Sequence, residues 1–91
     1  MSVYVDPLFQ WGDRGHYCHM TADTLDELHA FARRLGLPRR WMHISSSGIP
    51  HYGLTRLKRW HAVNQGAIEL SAAEWLVKAK QHRVPVKPDE A

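Results

Sequence analysis

Four of the chain's seven histidines, His16, His19, His43 and His51, fall in or beside two stretches that also hold carboxylates and aromatic rings. Asp6, Trp11, Asp13, Arg14, Tyr17, Cys18 and Asp23 belong to the first stretch, and Ser45 to Tyr52 form the second. Imidazole changes charge near neutral pH, which suits it to proton transfer, and its neutral form ligates metals. Three chemistries could use such a collection. The first is a divalent metal centre: His16-Tyr17-Cys18-His19 with Asp6, Asp23 and His51 supplies nitrogen and oxygen donors that zinc accepts. The stronger signature, two histidines one helical turn apart beside a glutamate, is absent. The second is acid–base chemistry on a phosphoester, with His51 as base, His19 as acid, and Arg39, Arg40 or helix N-termini holding the anion. The third is binding of a nucleotide or nucleic acid without turnover, with Trp11, Tyr17 and Tyr52 stacking on a base. Against all three stands the plain alternative that these side chains only hold long loops down.

Single residues divide the same way. Asp6 stands at a strand end before Pro7 and is the better carboxylate candidate; the alternative is an Asx turn. Asp23 precedes a helix start and reads equally as a cap or as a favourable charge there. His29 lies about 80° around its helix from the apolar stripe, at the boundary of the face. Cys18 reads as a buried thiol rather than a nucleophile. Ser45-Ser46-Ser47-Gly48 lacks P-loop spacing and reads as a turn. Trp41, Trp60 and Trp75 occupy apolar positions of strands or helices and read as core, whereas Trp11 sits in a loop.

The elements that must position these groups are short. Ser2–Val5, Arg40–Ile44 and Ala67–Leu70 are β-rich runs. The first helix opens on the capping box Thr24-Leu25-Asp26-Glu27 and carries Leu25, Leu28, Phe31, Ala32 and Leu35 on one face. Gly36 and Pro38 end it. A second helix runs from about Thr55 to Asn64, with Leu57, Trp60 and Val63 inward and Gly66 as terminator. A third begins at Ser71-Ala72-Ala73-Glu74 and buries Trp75, Leu76 and Ala79. The alternation predicts an α/β domain over residues 1–84, followed by an extended tail, 85–91. Its expected sheet is small, mostly parallel and three-stranded, with three helices in Rossmann-like β-α-β-α-β-α order. A fourth strand within Phe9–Met20, or a homodimer, would cover the apolar surface left over. In a parallel sheet, ligands bind beyond the strands' carboxyl ends, which places the expected site at that edge.

Composition narrows the class. The 91 residues are 44% apolar and 23% charged, an ordinary globular balance that excludes fibrous and low-complexity chains. No run approaches the roughly 18 apolar residues of a membrane span, and Met1–Asp6 does not look like a secretory leader. The lone Cys18 fits a reducing, cytoplasmic setting. A net charge of +3 is mild, and the groups Arg33, Arg34, Arg39, Arg40 and Arg56, Lys58, Arg59 read first as solvated faces.

The motifs Val3-Tyr4-Val5-Asp6-Pro7, Cys18-His19, Ala22-Asp23-Thr24, Glu27-Leu28-His29-Ala30-Phe31-Ala32, Gly36-Leu37-Pro38-Arg39-Arg40 and His51-Tyr52 occur in this order. Together they make the chain resemble a family of small bacterial and phage proteins catalogued as domain of unknown function 4031. The family carries no assigned activity. The resemblance falls on Asp6, His19, Asp23, His29, Arg39, Arg40, His51 and Tyr52, and the family pattern has Asp where this chain has Gly53. The expected function is handling of a phosphate-bearing ligand at the sheet edge, with hydrolysis assisted by His19 and His51. The alternative is an interaction module or homodimer whose loop His and Trp residues are structural.

Overall fold

The computed structural model describes residues 2–81. The expected tail at 85–91, the domain end at residue 84, and His82 lie outside the described residues. Within them the chain runs β1 (Val3–Val5), β2 (Phe9–Gln10), β3 (His16–Ala22), α1 (Leu25–Arg34), β4 (His43–Ile44), β5 (Pro50–Thr55), α2 (Arg56–Asn64), β6 (Ile68–Glu69) and α3 (Ala72–Lys80). Short 3-10 turns at Gly12–Arg14 and Arg39–Trp41 lie between them.

The helices begin where the side chains can satisfy their free amides. Thr24 accepts from the Glu27 amide, while its hydroxyl donates to the Glu27 carboxylate. At α3 the capping box closes fully: Ser71 Oγ accepts from Glu74 N, and Glu74 Oε1 accepts from Ser71 N. Gly36, at φ +80°, ends α1 in the left-handed region that a Cβ would strain.

The strands form one sheet in the order β4-β5-β3-β1-β6, with β2 also paired to β3. Every pairing is antiparallel except β1 with β6. This overturns the expectation of a small, mostly parallel, Rossmann-like sheet of three strands. The stretch from Phe9 to Ala22, where the sequence allows one extra strand, is a hairpin of two strands, β2 and β3, around the Gly12–Arg14 turn. Cys18, Met20 and Ala22 alternate inward along β3, a period-two pattern that suits one buried sheet face. Pro50–Thr55 then pairs with it, again antiparallel.

The sheet has two different faces. Val3, Val5, Cys18, Met20, Tyr52 and Leu54 pack against Leu28, Phe31 and Ala32 of α1, Leu35 just after it, and Ala62 of α2. The other face is covered only in part: Tyr4, Ile49, Trp75 and Ala79 form a smaller cluster under α3. Trp75 anchors it, donating its indole N–H to the Tyr4 carbonyl at 3.1 Å. On β3 and β5 the residues of that second face are Tyr17, His19, His51 and Gly53. Because α3 is seated over β1, these positions stay open, and the candidate site lies there.

Four residues expected inward, Trp41, Leu57, Trp60 and Leu76, are exposed instead. Trp41 is 52% and Trp60 61% exposed, and Leu57 also faces outward; of the three tryptophans read as core only Trp75 is buried.

Candidate functional site

The site starts from a break in a strand. β1 and β2 pair with opposite ends of the same strand: Val5 lies opposite Met20, and Phe9 opposite Tyr17. Between them Pro7 has no N–H to give to a ladder. The Asp6 side chain fills the interruption. Asp6 N donates to His19 O at 3.2 Å, and Asp6 Oδ1 accepts from His19 N at 2.6 Å. The second carboxylate oxygen, Oδ2, lies 2.8 Å from His19 Nδ1. A carboxylate can only accept there, so Nδ1 carries the proton and Nε2 is the ring nitrogen left for chemistry. The Asp6 backbone is fixed too, since Arg59 Nε donates to its carbonyl at 3.0 Å while Arg59 also pairs with Glu69.

His51 lies diagonally across from His19 on β5. The rings meet edge to face with centroids 5.5 Å apart. His51 Nδ1 donates to the Ile49 carbonyl at 3.1 Å, so its Nε2 is also the nitrogen left over. Burial, reinforced by the nearby His19 and His43, holds the His51 pKa below the ordinary histidine value, with the Ile49 and Asp6 contacts opposing in part. The third ring, His43, stands opposite His51 in the β4 pairing, centroids 6.1 Å apart.

Aromatic rings wall this histidine floor. Phe9 stacks on His19 at 5.2 Å, Trp11 on Phe9 at 6.0 Å, and Trp11 meets Tyr17 edge on at 5.9 Å. Trp75 of α3 flanks His19 at 5.6 Å. Phe9, Trp11, Tyr17 and the three histidines, together with Arg14, Trp41 and Gly53, line a cavity of about 310 Å³, at the lower end of the size of small-ligand pockets, while Trp75 stands behind His19 and outside that lining.

The expected site residues therefore separate. Asp6, Trp11, His19 and His51 converge, although on a face rather than at a carboxyl edge, because antiparallel strands share no such edge. Asp23 stands at the far end of β3 and ties down the N-terminal strand, accepting from Ser2 N and Tyr4 Oη, each at 2.9 Å. Tyr52 follows His51 in the strand and so points to the opposite face, where it is buried and bonded to His29 Nδ1 at 2.8 Å. His29 and Arg39 line a different cavity, about 730 Å³, along α1 with Arg33 and Arg34. Arg40 is exposed and lines neither cavity.

Phe9, Trp41 and Gly53 join the site although the sequence gives them no role there, and Arg14 and His43, grouped with the candidate stretches, line it too. The signal that would have found Gly53 and His43 is their period-two spacing and cross-strand position relative to His51. Among the described residues, no three His, Cys, Asp or Glu side chains come together so as to hold a metal ion. Cys18 lines the cavity, but its side chain lies in the core, and burial together with the Asp6 charge pushes the thiol up to about 12. It is not a nucleophile at neutral pH.

What the fold and site define is a small α/β domain with a half-covered mixed sheet and a histidine-floored, aromatic-walled cavity on the uncovered half. A family model described as protein of unknown function (DUF4031) matches residues 3–82, and the chain belongs to that family. No curated protein and no solved structure matches it. No helix among the described residues is long and apolar enough to cross a membrane.

Proposed function

We propose that the cavity binds a phosphate-bearing aromatic ligand, a nucleotide or a nucleotide unit of a nucleic acid, and assists hydrolysis of its phosphoester. The observation that carries this reading is the Asp6–His19–His51 arrangement: two imidazoles 5.5 Å apart inside aromatic walls, each with Nδ1 committed and Nε2 left over. His51, held neutral by its surroundings, takes a proton from the water that attacks phosphorus as the ester P–O bond breaks. His19 gives a proton to the leaving oxygen, and the Asp6 carboxylate is its counter-charge while it carries that proton. Arg14 is the cation at the cavity able to meet the phosphate, in place of the expected Arg39 and Arg40. Trp11, Tyr17 and Trp41 offer ring faces for a base. The setting we propose is the cytoplasm of a bacterium or its phage, in keeping with the family resemblance and the single reduced thiol.

Titrating the protein with adenosine monophosphate and with a short single-stranded oligonucleotide, followed by tryptophan fluorescence and by product analysis, tests this. Binding that is lost in both His19→Ala and His51→Ala supports it. Equal binding and turnover in the wild type and both variants removes the histidines from the site.

A second reading, a homodimer or protein-interaction module, has its own observation. Leu57 and Trp60 on α2 and Ile68 on β6 are large apolar side chains left 64%, 61% and 42% exposed. Sedimentation at several concentrations distinguishes the two readings: a dimer broken by Trp60→Glu, with no response to nucleotides, favours this one.

A further inference from the structure

Gly53 sits in a place where nothing local asks for glycine. It lies within β5, opposite His19 on β3. Its φ is not positive, so its backbone is open to any residue. A Cβ built on it meets nothing within 4 Å among the described residues. Glycine weakens a strand through its extra unfolded-state freedom, and strands favour branched and aromatic residues. The turn, the close packing and the left-handed backbone that usually hold a glycine in a sheet are all missing. An exposed, open glycine in a strand leaves its backbone accessible to close approach by another group, one of the uses glycine has in a strand interior.

The neighbours say what that group is. Gly53 is the bare tile in a floor of rings: His19 across from it, His51 two residues before it, and Tyr17, Trp11 and Trp41 lining the same cavity. We propose that Gly53 is the specificity-determining position of this site, admitting the flat base of a nucleotide down to the β5 backbone. The base lies between the β3 side, with Tyr17 and His19, and the β4 side, with Trp41 and His43. A ring seated there brings its attached phosphate within the compass of His19, His51 and Arg14. This rests on the nucleotide reading above and adds to it the residue that selects a planar group over a branched or bulky one.

The test uses Gly53→Ala and Gly53→Val with adenosine monophosphate and inorganic phosphate as probes. A Cβ at this position meets nothing within 4 Å and valine favours the strand conformation, so melting temperatures at or above that of the wild type are expected. Affinity for adenosine monophosphate should fall about tenfold with alanine and about a hundredfold or more with valine, as filled volume displaces the ring. Affinity for inorganic phosphate should change by less than about threefold, because its partners are untouched. Unchanged nucleotide affinity in Gly53→Val overturns the proposal, and so does a parallel loss of both probes, which would mean the valine disturbs the histidines instead. If His51→Ala abolishes nucleotide binding while Gly53→Val does not, the nucleotide reading stands and the role of Gly53 falls. A wild-type chain that binds neither probe removes both.

Discussion

The Asp6 carboxylate holds His19 twice, by its backbone amide at 2.6 Å and by its ring Nδ1 at 2.8 Å. One oxygen repairs the ladder where Pro7 breaks it, and the other sets the tautomer of the ring.

The two roles can be separated by substitution. Asp6→Asn keeps an acceptor for the His19 amide but can set an NH2 against Nδ1, which favours the other tautomer. Stability should drop by about 1–3 kcal/mol in urea unfolding, and any His19-dependent turnover should fall far more, by about 10⁴-fold where such a carboxylate serves a catalytic histidine. Turnover that survives the change would show that His19 carries no proton in the reaction.

Stability should depend on pH through His51 and His29, both of which burial holds below the ordinary histidine value of 6.5. Above that value the rings are neutral whether the chain is folded or not, and their contribution is complete. As the pH falls below it, the unfolded chain takes up protons that the folded chain refuses, so stability declines across that window. Melting temperatures at pH 7.5 and pH 5 should therefore differ more in the wild type than in His51→Gln. Equal slopes would contradict the assignment.

Anion binding should move the opposite way. Once the pH is low enough to protonate His51 in the folded chain, the cavity floor gains positive charge, so sulfate, whose own charge is constant over this range, should bind more tightly at pH 5 than at pH 7.5 and less tightly with added salt. Calorimetric titration at the two pH values measures it, and an affinity that declines on acidification would count against His51 facing the phosphate.

Cys18 should be silent to thiol reagents in the folded protein. Its side chain is fully buried and its pKa is pushed up to about 12. A chromogenic disulfide at pH 8 should label it only after denaturant is added; rapid native labelling would mean the sheet opens at β3.

Trp75→Phe should destabilise by about 1–3 kcal/mol, since the Tyr4 carbonyl loses its donor in a buried place. It should also disturb the ligand cavity through the Trp75–His19 contact. Urea unfolding and the adenosine monophosphate titration report the two effects separately.

How much of this was written in the chain differs by element. Thr24, Leu28, Phe31 and Gly36 announce α1, and Ser71-Ala72-Ala73-Glu74 announces α3, because helix caps and helical periodicity are local. The sheet is hidden for a local reason as well. Gly12, Asp13 and Gly15 mark a turn inside Phe9–Ala22, and the outward face of β3 carries Tyr17 and His19 rather than plain polar residues, which hides the alternation. Asp6, His19 and His51 were legible as a group, but their meeting on a face depends on strand direction, which no local signal reports. His51-Tyr52 shows the limit most simply: adjacent residues in a strand serve opposite sides of the sheet. Trp41 and Trp60 read as core by type alone, and the structure leaves both outside it.

The seat of α3 has a consequence for the order of assembly. The Trp75–Tyr4 bond joins residues 71 positions apart, and β6 must also return to β1 before the sheet is complete. On a ribosome the N-terminal strand emerges first yet gains its outer neighbour last. The hairpins β2 with β3 and β4 with β5 close over short spans and can form beforehand, whereas β3 and β5 meet only once α1 lies between them. The emerging chain thus holds β1 against β3 along one edge only, until β6 pairs its other edge and α3 covers its face.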